Sequence, residues 1–349
     1  MNKKVAILAT ASPSGEAGGA ERFYEGLCSA LRELGADASV VPVVADEANF
    51  ESILRSYLRF YDLDLSAFDG VISTKAPGYV VRHRNHVCYL QHTMRVFYDM
   101  FDMEFPSPSR ELLEQRRRIQ ELDTAALSSR RLRKLFVIGE EVRKRLAQFN
   151  GLDAEVLYQA SNMSGFREGR FDYIFMPGRL HRWKRVDLVI RAMKHVKAPV
   201  KLMISGTGED RQTLEELARG DERIVFLGRL SDEQLLDTYA NALAVPFVPY
   251  REDFGLVTVE AFHSGKPVIT CSDSGEPARL VEKYAAGLVC EPVPAAIGRA
   301  IDQLYANPDF ARTVGARGLT ASEHMSWHAT ATRLLEALDI PVEAGARPG

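Results

Sequence analysis

The stretch ALAVPFVPYREDFGLVTVEAFHSGKPVITC, residues 242–271, decides the fold. It opens on the apolar run ALAVPFV, crosses a polar loop holding Glu252, and enters a helix behind Gly255. It then drops into a second strand-like run, Pro267 to Cys271. Short apolar runs without polar alternation read as strands covered on both faces. A helix between two of them is the βαβ unit of a parallel sheet. Glu252 falls in the loop, and Glu260 one to two turns into the helix. A helix N-terminus presents unbonded N–H groups and partial positive charge, a natural place for an anion or a polyol. The two carboxylates are then acceptors for ligand hydroxyls.

The same alternation runs through the chain in both directions. Strands are expected at 4–10, 38–44, 69–73, 87–90, 134–138 and 154–158, and again at 172–177, 200–204, 223–227, 243–248, 267–271 and 287–290. Phe23, Leu27, Ala30, Leu31 and Leu34 form one apolar stripe ended by Gly35, which marks the first helix. A further helix covers roughly 139–149, and others fall near 184–196, 209–219, 231–241, 255–264, 276–284 and 294–306. The fold class is therefore α/β, with two Rossmann-like doubly wound domains. The boundaries read as 1–160, a small polar linker at 161–170, 171–321, a final helix at 322–338 and a flexible tail at 339–349. A cleft between the carboxyl ends of two such sheets is the expected ligand site.

At 349 residues, 46% hydrophobic and 26% charged, the composition is that of a globular chain of two domains. The run Val5 to Ala11 is too short to span a bilayer and carries no leader-cleavage pattern. Four scattered cysteines without a CxxC pair fit a reducing compartment, so a cytoplasmic location is expected. A net charge of −3 gives no reason to expect nucleic-acid binding. Residues 110–145 are the exception: eleven Arg and Lys face six acids there, leaving +5 against −8 elsewhere. That segment is either a solvated helical face or a contact with anionic lipid or a diphosphate-bearing acceptor, peripheral to the inner membrane face.

Four loops carry the candidate chemistry. Gly18-Gly19 precedes the first helix and lets backbone amides approach a phosphate. GRLHRWKR, residues 178–185, sets Arg179 at a strand end and Lys184 at a helix start, a fork and a point charge for a diphosphate. SGTGED, residues 205–210, makes a tight Gly206 turn but lacks the third glycine of a dinucleotide fingerprint. The fourth is the segment holding Glu252 and Glu260.

Together these loops resemble the retaining glycosyltransferases of the GT-B fold, family four (glycosyl transferases group 1). MPGRLHRWKRVDLVIRAM, ISGTGED, FLGRLSDEQLLDTYANA and FVPYREDFGLVTVEAFHSGKPVIT stand in that family's order and spacing. The resemblance is to the type found in bacterial surface-polysaccharide pathways. It implies that Arg179 and Lys184 bind the donor diphosphate and that Glu252 contacts the donor sugar. Glu260 would take the ribose, the backbone near Gly228–Leu230 the base, and Gly18, Gly19, Gly206, Phe254, Gly255 and Leu256 the walls of the donor pocket. His92, in LQHTMRVFYD, would hydrogen-bond the transferred sugar, and Trp327 would open a helix returning to the first domain. The donor is a nucleotide-diphosphate sugar, and similarity around His92 to mannosyltransferases puts GDP-mannose ahead of UDP-sugars. The acceptor is a glycan or lipid-linked molecule, with neither cofactor nor metal required. Retention on this fold implies front-face transfer, helped by charge stabilisation of the leaving diphosphate. Two departures stand out: Asp273-Ser274-Gly275-Glu276 replaces the usual Gly-Gly, and Gln159-Ala160-Ser161 replaces a linker proline.

Other readings are weaker. A GT-B nucleotide-sugar epimerase should carry a different set of cleft groups, and a non-catalytic nucleotide-sugar binder need not keep all of these. Asp62-Leu63-Asp64 is a D-x-D, away from the expected cleft. His83, His86 and His263 read as surface or packing residues. The aromatic run 95–105 is core or an acceptor platform, and Lys75 could face an acceptor phosphate.

Overall fold

The computed structural model describes residues 2–11 and 19–342. Two compact units emerge: one runs to Asn162 and resumes at Trp327, the other is Met163–Ser326. All twelve expected strands form, with ends within two residues of those read from the sequence.

The first unit holds β1 (Lys4–Ala11), β2 (Asp37–Val44), β3 (Gly70–Ser73), β4 (His86–Leu90), β5 (Leu132–Val137) and β6 (Glu155–Val156). Their spatial order is β2-β1-β3-β4-β5-β6 and every pairing is parallel. Val5 to Leu8 and Val87 to Leu90 are buried, as strands covered on both faces must be. The helix Gly19–Glu33 buries Phe23, Leu27, Ala30 and Leu31, as its stripe requires. Gly35 ends it with a left-handed φ of 92°. Gly18 lies outside the described residues, and Gly19 is the first residue of that helix.

The chain ends differ from expectation. The last helix spans Trp327–Ala337 rather than 322–338. A separate helix, Pro308–Ser322, precedes it. Interior Gly315 and Gly318 hid that helix, because each costs about 1 kcal/mol of helix propensity. They are there because a Cβ at Gly315 would overlap the Gly265 carbonyl, and one at Gly318 would meet the Phe262 ring at 2.7 Å. Trp327 packs edge-on against Phe23 at 5.4 Å and donates to Asn162 at 2.6 Å, fixing its helix on the first. Of the expected tail, Ile340 is buried and donates to the Leu335 carbonyl, while 343–349 lie outside the described residues. Within the expected linker, Phe166 stacks on His263 at 5.3 Å and Arg167 pairs with Asp237.

Several first-unit candidates prove structural. Phe97, Tyr98, Met100 and Phe101 are buried, which removes them as an exposed acceptor platform. Asp62 pairs with Arg82, and Asp64 accepts from the Ser66 amide. Among the described residues no three His, Cys, Asp or Glu gather as a metal site. The 110–145 segment is not one basic face. Arg116, Arg117, Arg118, Lys134, Arg143 and Arg145 each pair with a carboxylate, Arg145 with Asp99 in a buried contact at 2.8 Å.

His86 is buried on β4 and hydrogen-bonds Ser73 Oγ of β3 at 2.8 Å. Burial, helped by the nearby His83 charge, holds its pKa down at about 3. Between pH 6.5 and that value the unfolded chain takes up a proton that the folded chain refuses, so stability falls as pH falls. At pH 5 the loss from this group alone is roughly 2 kcal/mol. Urea unfolding at pH 7 and pH 5, followed through Trp327 in a Trp183→Phe background, should show that difference shrink in His86→Gln. An unchanged pH slope would exclude His86 as its source.

The second unit holds β7 (Tyr173–Pro177), β8 (Leu202–Ser205), β9 (Ile224–Gly228), β10 (Ala242–Pro246), β11 (Val268–Cys271) and β12 (Gly287–Cys290). They lie in the order β12-β11-β10-β7-β8-β9, again all parallel. Ile174, Val189, Leu202, Leu243, Ile269 and Ile301 lie in its core, between sheet and helices. Strand order reverses between β7 and β10, and ligands of such sheets sit at that switch point, beyond the strands' carboxyl ends.

Candidate functional site

The loops leaving β7 and β10 are the two that flank the switch point, and they hold Lys184 and Glu252. Lys184 Nζ lies 2.6 Å from Glu252 Oε2, with about a quarter of each side chain exposed. A cation and a carboxylate thus stand side by side where a ligand would lie. Lys184 also sits 5.5 Å from the Phe247 ring centre, so its stem runs along apolar surface.

Glu252 is held by backbone on both sides. Its N–H donates to the Ser274 carbonyl at 2.9 Å, and its own carbonyl accepts from Glu276 at 3.0 Å. Arg251 donates to Asp273 at 3.0 Å and Tyr250 to the Trp183 carbonyl at 2.9 Å, with the Trp183 and Tyr250 rings stacked. Arg185 completes the frame. Its guanidinium grips both Asp273 oxygens at 2.7 Å and donates to the carbonyls of Val248 and Pro249. Asp273, the first residue of the stretch that departs from the resembled Gly-Gly, is thus the fork's partner and braces the Glu252 loop.

Glu260 lies on the helix Leu256–His263, and its Oε2 accepts from the Tyr239 hydroxyl at 2.8 Å. Burial, then the Glu260 charge, raises the Tyr239 phenol far above its usual range, so it stays protonated and donates to Glu260. Gly255 opens this helix at a φ of 79°, with Phe254 buried before it and Leu256 as first residue.

Arg179 pairs with a different carboxylate from that of Lys184. It is largely exposed and reaches Glu209 at 3.4 Å, a carboxylate that His181 also approaches at 3.3 Å. Gly206 serves the loops themselves: a Cβ there would overlap the Gly178 carbonyl oxygen, and its N–H donates to Gly228 at 2.7 Å. Leu180 and Thr207 are joined the same way, so the 178–180, 205–210 and 228 turns form one stitched surface. Leu230 is half-buried just before Ser231, which caps the next helix in a capping box with Gln234. In the first unit, His92 follows β4, half-buried, with Nδ1 2.9 Å from the Thr93 carbonyl. Lys75 follows β3, and burial lowers its pKa.

Arg185, Asp273 and Tyr239 were not singled out as site residues from the sequence. GRLHRWKR offers Lys184 and Arg185 as adjacent cations, and only the fold sorts one to Glu252 and the other to Asp273. The one available signal was the departure over residues 273–276.

The model of the family "Glycosyl transferases group 1" matches residues 161–320. The human alpha-1,3/1,6-mannosyltransferase is 25% identical over 199 residues, covering 48% of this chain and 47% of that protein. A D-inositol 3-phosphate glycosyltransferase of Nocardia farcinica is 32% identical over 188 residues, covering 49% and 42%. The chain thus spans less than half the length of these relatives. Sucrose-phosphate synthase from Thermosynechococcus elongatus superposes with a TM-score of 0.74 over 96% of this chain and 98% of that one, at 18% identity. Anabaena HepE, solved with UDP and glucose, gives 0.71 over 97% and 100%, at 15% identity. Residues 161–320 are thus similar to the glycosyl transferases group 1 family, and the two parallel sheets have the GT-B fold.

Proposed function

We propose that this protein is a retaining glycosyltransferase that moves a hexose from a nucleotide-diphosphate sugar to a glycan or lipid-linked acceptor. The observation that carries the reading is the Lys184–Glu252 pair at the β7/β10 switch point. Lys184 is assigned to the leaving diphosphate and Glu252 to the donor sugar's hydroxyls. Glu260, oriented by Tyr239, is assigned to the ribose, and the stitched glycine loops to the phosphates and base. Arg179 joins the diphosphate by leaving Glu209, an exposed pair that costs about 0–1 kcal/mol to break. His92 is assigned to the transferred sugar, and GDP-mannose is placed ahead of UDP-sugars as donor. Transfer on the front face then needs charge stabilisation at the departing phosphate oxygen, which takes the acceptor's proton.

Thermal unfolding against GDP, UDP, ADP, dTDP, CMP and NAD tests the donor site. One nucleoside diphosphate, at about 100 times its Kd, should add roughly 2.7 kcal/mol. Stabilisation by NAD alone, or by none of them, overturns the reading. Proton NMR of the product then reads the anomeric configuration, and inversion would overturn front-face transfer.

A further inference from the structure

A second cavity lies wholly within the first unit, at the end where β4 and β5 begin. It measures about 290 Å³ and is lined by Tyr57, Leu58 and Tyr61 of the helix Phe50–Tyr61, by Leu122 and Ala126 of the helix Arg110–Leu127, and by Tyr79. Three large apolar side chains at its edge are left in solvent: Leu58 at 61% exposure, Tyr61 at 43% and Leu122 at 41%. They stand on two different helices around one opening. Apolar groups clustered at a cavity are the exception to scattered surface leucines and mark a binding site.

The rim is cationic. β4 and β5 are adjacent and parallel, so the residues just before them share one end of the sheet. Those residues include Arg82 and Arg84 before β4, and Arg130 and Arg131 before β5, with Arg133 one residue into it. Arg131 lines the apolar cavity and also the adjoining groove with Arg82 and Arg84. Arg82 covers the Tyr61 ring at 4.6 Å and is 3.6 Å from Asp62. The other nearby carboxylates are engaged: Asp64 by the Ser66 amide, and Asp69 by Lys3 and the Lys4 amide. Among the described residues Arg130, Arg131 and Arg133 form no ion pair, and Arg84 acts on Asp69 only as one of several neighbouring charges, without a direct ion pair.

We propose that this end of the first unit binds an anionic phospholipid, its acyl chain in the cavity and its phosphate on Arg84 and Arg131. An apolar slot continuous with a cationic rim is complementary to one amphiphile with an anion at one end. A soluble phosphate would use the arginines and leave Leu58 and Leu122 exposed without reason. The proposal does not rest on the transferase reading, and its test needs neither donor nor acceptor.

The test is flotation of the full chain with vesicles of phosphatidylcholine alone or mixed with phosphatidylglycerol. Binding to the mixed vesicles only, weakened by salt, is expected. Each basic residue near an anionic surface contributes about 1 kcal/mol, so Arg84→Glu with Arg131→Glu should lower vesicle affinity by about tenfold or more. Ala126→Phe, which fills the slot, should lower it several-fold while thermal unfolding shows the chain still folded. No binding to mixed vesicles overturns the site. Loss on charge reversal with full binding by Ala126→Phe and by Leu122→Gln means adsorption without an acyl pocket, and overturns it as well. Full competition by inorganic phosphate would identify a free-phosphate site instead.

Discussion

Lys184→Ala should lower the rate of donor turnover by about 10²–10³-fold, the cost of removing one preorganised charged contact from a developing anion. The donor is the sugar of whichever nucleoside diphosphate stabilises the protein. The loss should not come from unfolding. Lys184 and Glu252 are each about a quarter exposed, and an ion pair in that setting contributes about 1 kcal/mol or less. The variant's melting temperature should thus stay close to the parent's while activity collapses. Lys184→Arg keeps the charge but exchanges a point donor for a planar fork, so it should recover only part of the rate. Glu252→Gln should act on the sugar rather than the diphosphate. It should weaken turnover of the sugar donor while leaving affinity for the free nucleoside diphosphate within a few-fold. Full activity in Lys184→Ala would remove the diphosphate role and, with it, the assignment of the switch point as donor site.

The largest stability effect is expected at Asp123, far in sequence from any motif. Its carboxylate is fully buried and accepts from Tyr57 at 2.5 Å and Tyr98 at 2.7 Å. Burial raises its pKa, against the tyrosine hydrogen bonds that lower it, and burial likewise drives both phenols up. The group joins the helix Phe50–Tyr61, the turn around Tyr98 and the helix Arg110–Leu127. Asp123→Ala would strand two buried hydroxyls, at about 1–3 kcal/mol each, or roughly 2–6 kcal/mol in total. Against a usual total of about 5–15 kcal/mol that is a large fraction. Asp123→Asn keeps an acceptor oxygen and should cost less. Urea unfolding read from Trp327 in the Trp183→Phe background measures both. A loss under 1 kcal/mol in Asp123→Ala would mean that the cluster carries little of the unit's stability.

The two predictions differ in how visible their residues were. Lys184 and Glu252 stand in loops bounded by apolar runs, and a strand–loop–helix pattern shows on the chain because side-chain burial is periodic. Asp123 sits in a segment read as a charged helical face. Nothing local distinguishes a buried aspartate from a solvated one when its partners are 66 and 25 residues away. The basic segment shows the same limit. Its charge count was correct, but Arg145, Arg143 and Lys134 are neutralised by Asp99, Asp153 and Glu155, all outside the segment.

By itself the sequence determined the twelve strands, the two-sheet class, the glycine turns and the loop residues at strand ends. These follow from local hydrophobic periodicity and turn chemistry. Strand order was decided only in three dimensions. β7 and β10 are separated by two whole βα units, yet lie side by side, and that adjacency alone puts Lys184 against Glu252. The same packing gave Arg185 to Asp273 and left Arg179 with Glu209. Neighbouring cations in a chain carry no mark of which carboxylate they will meet, because the partner is chosen by which strands share a sheet edge, and that choice is made by the whole core.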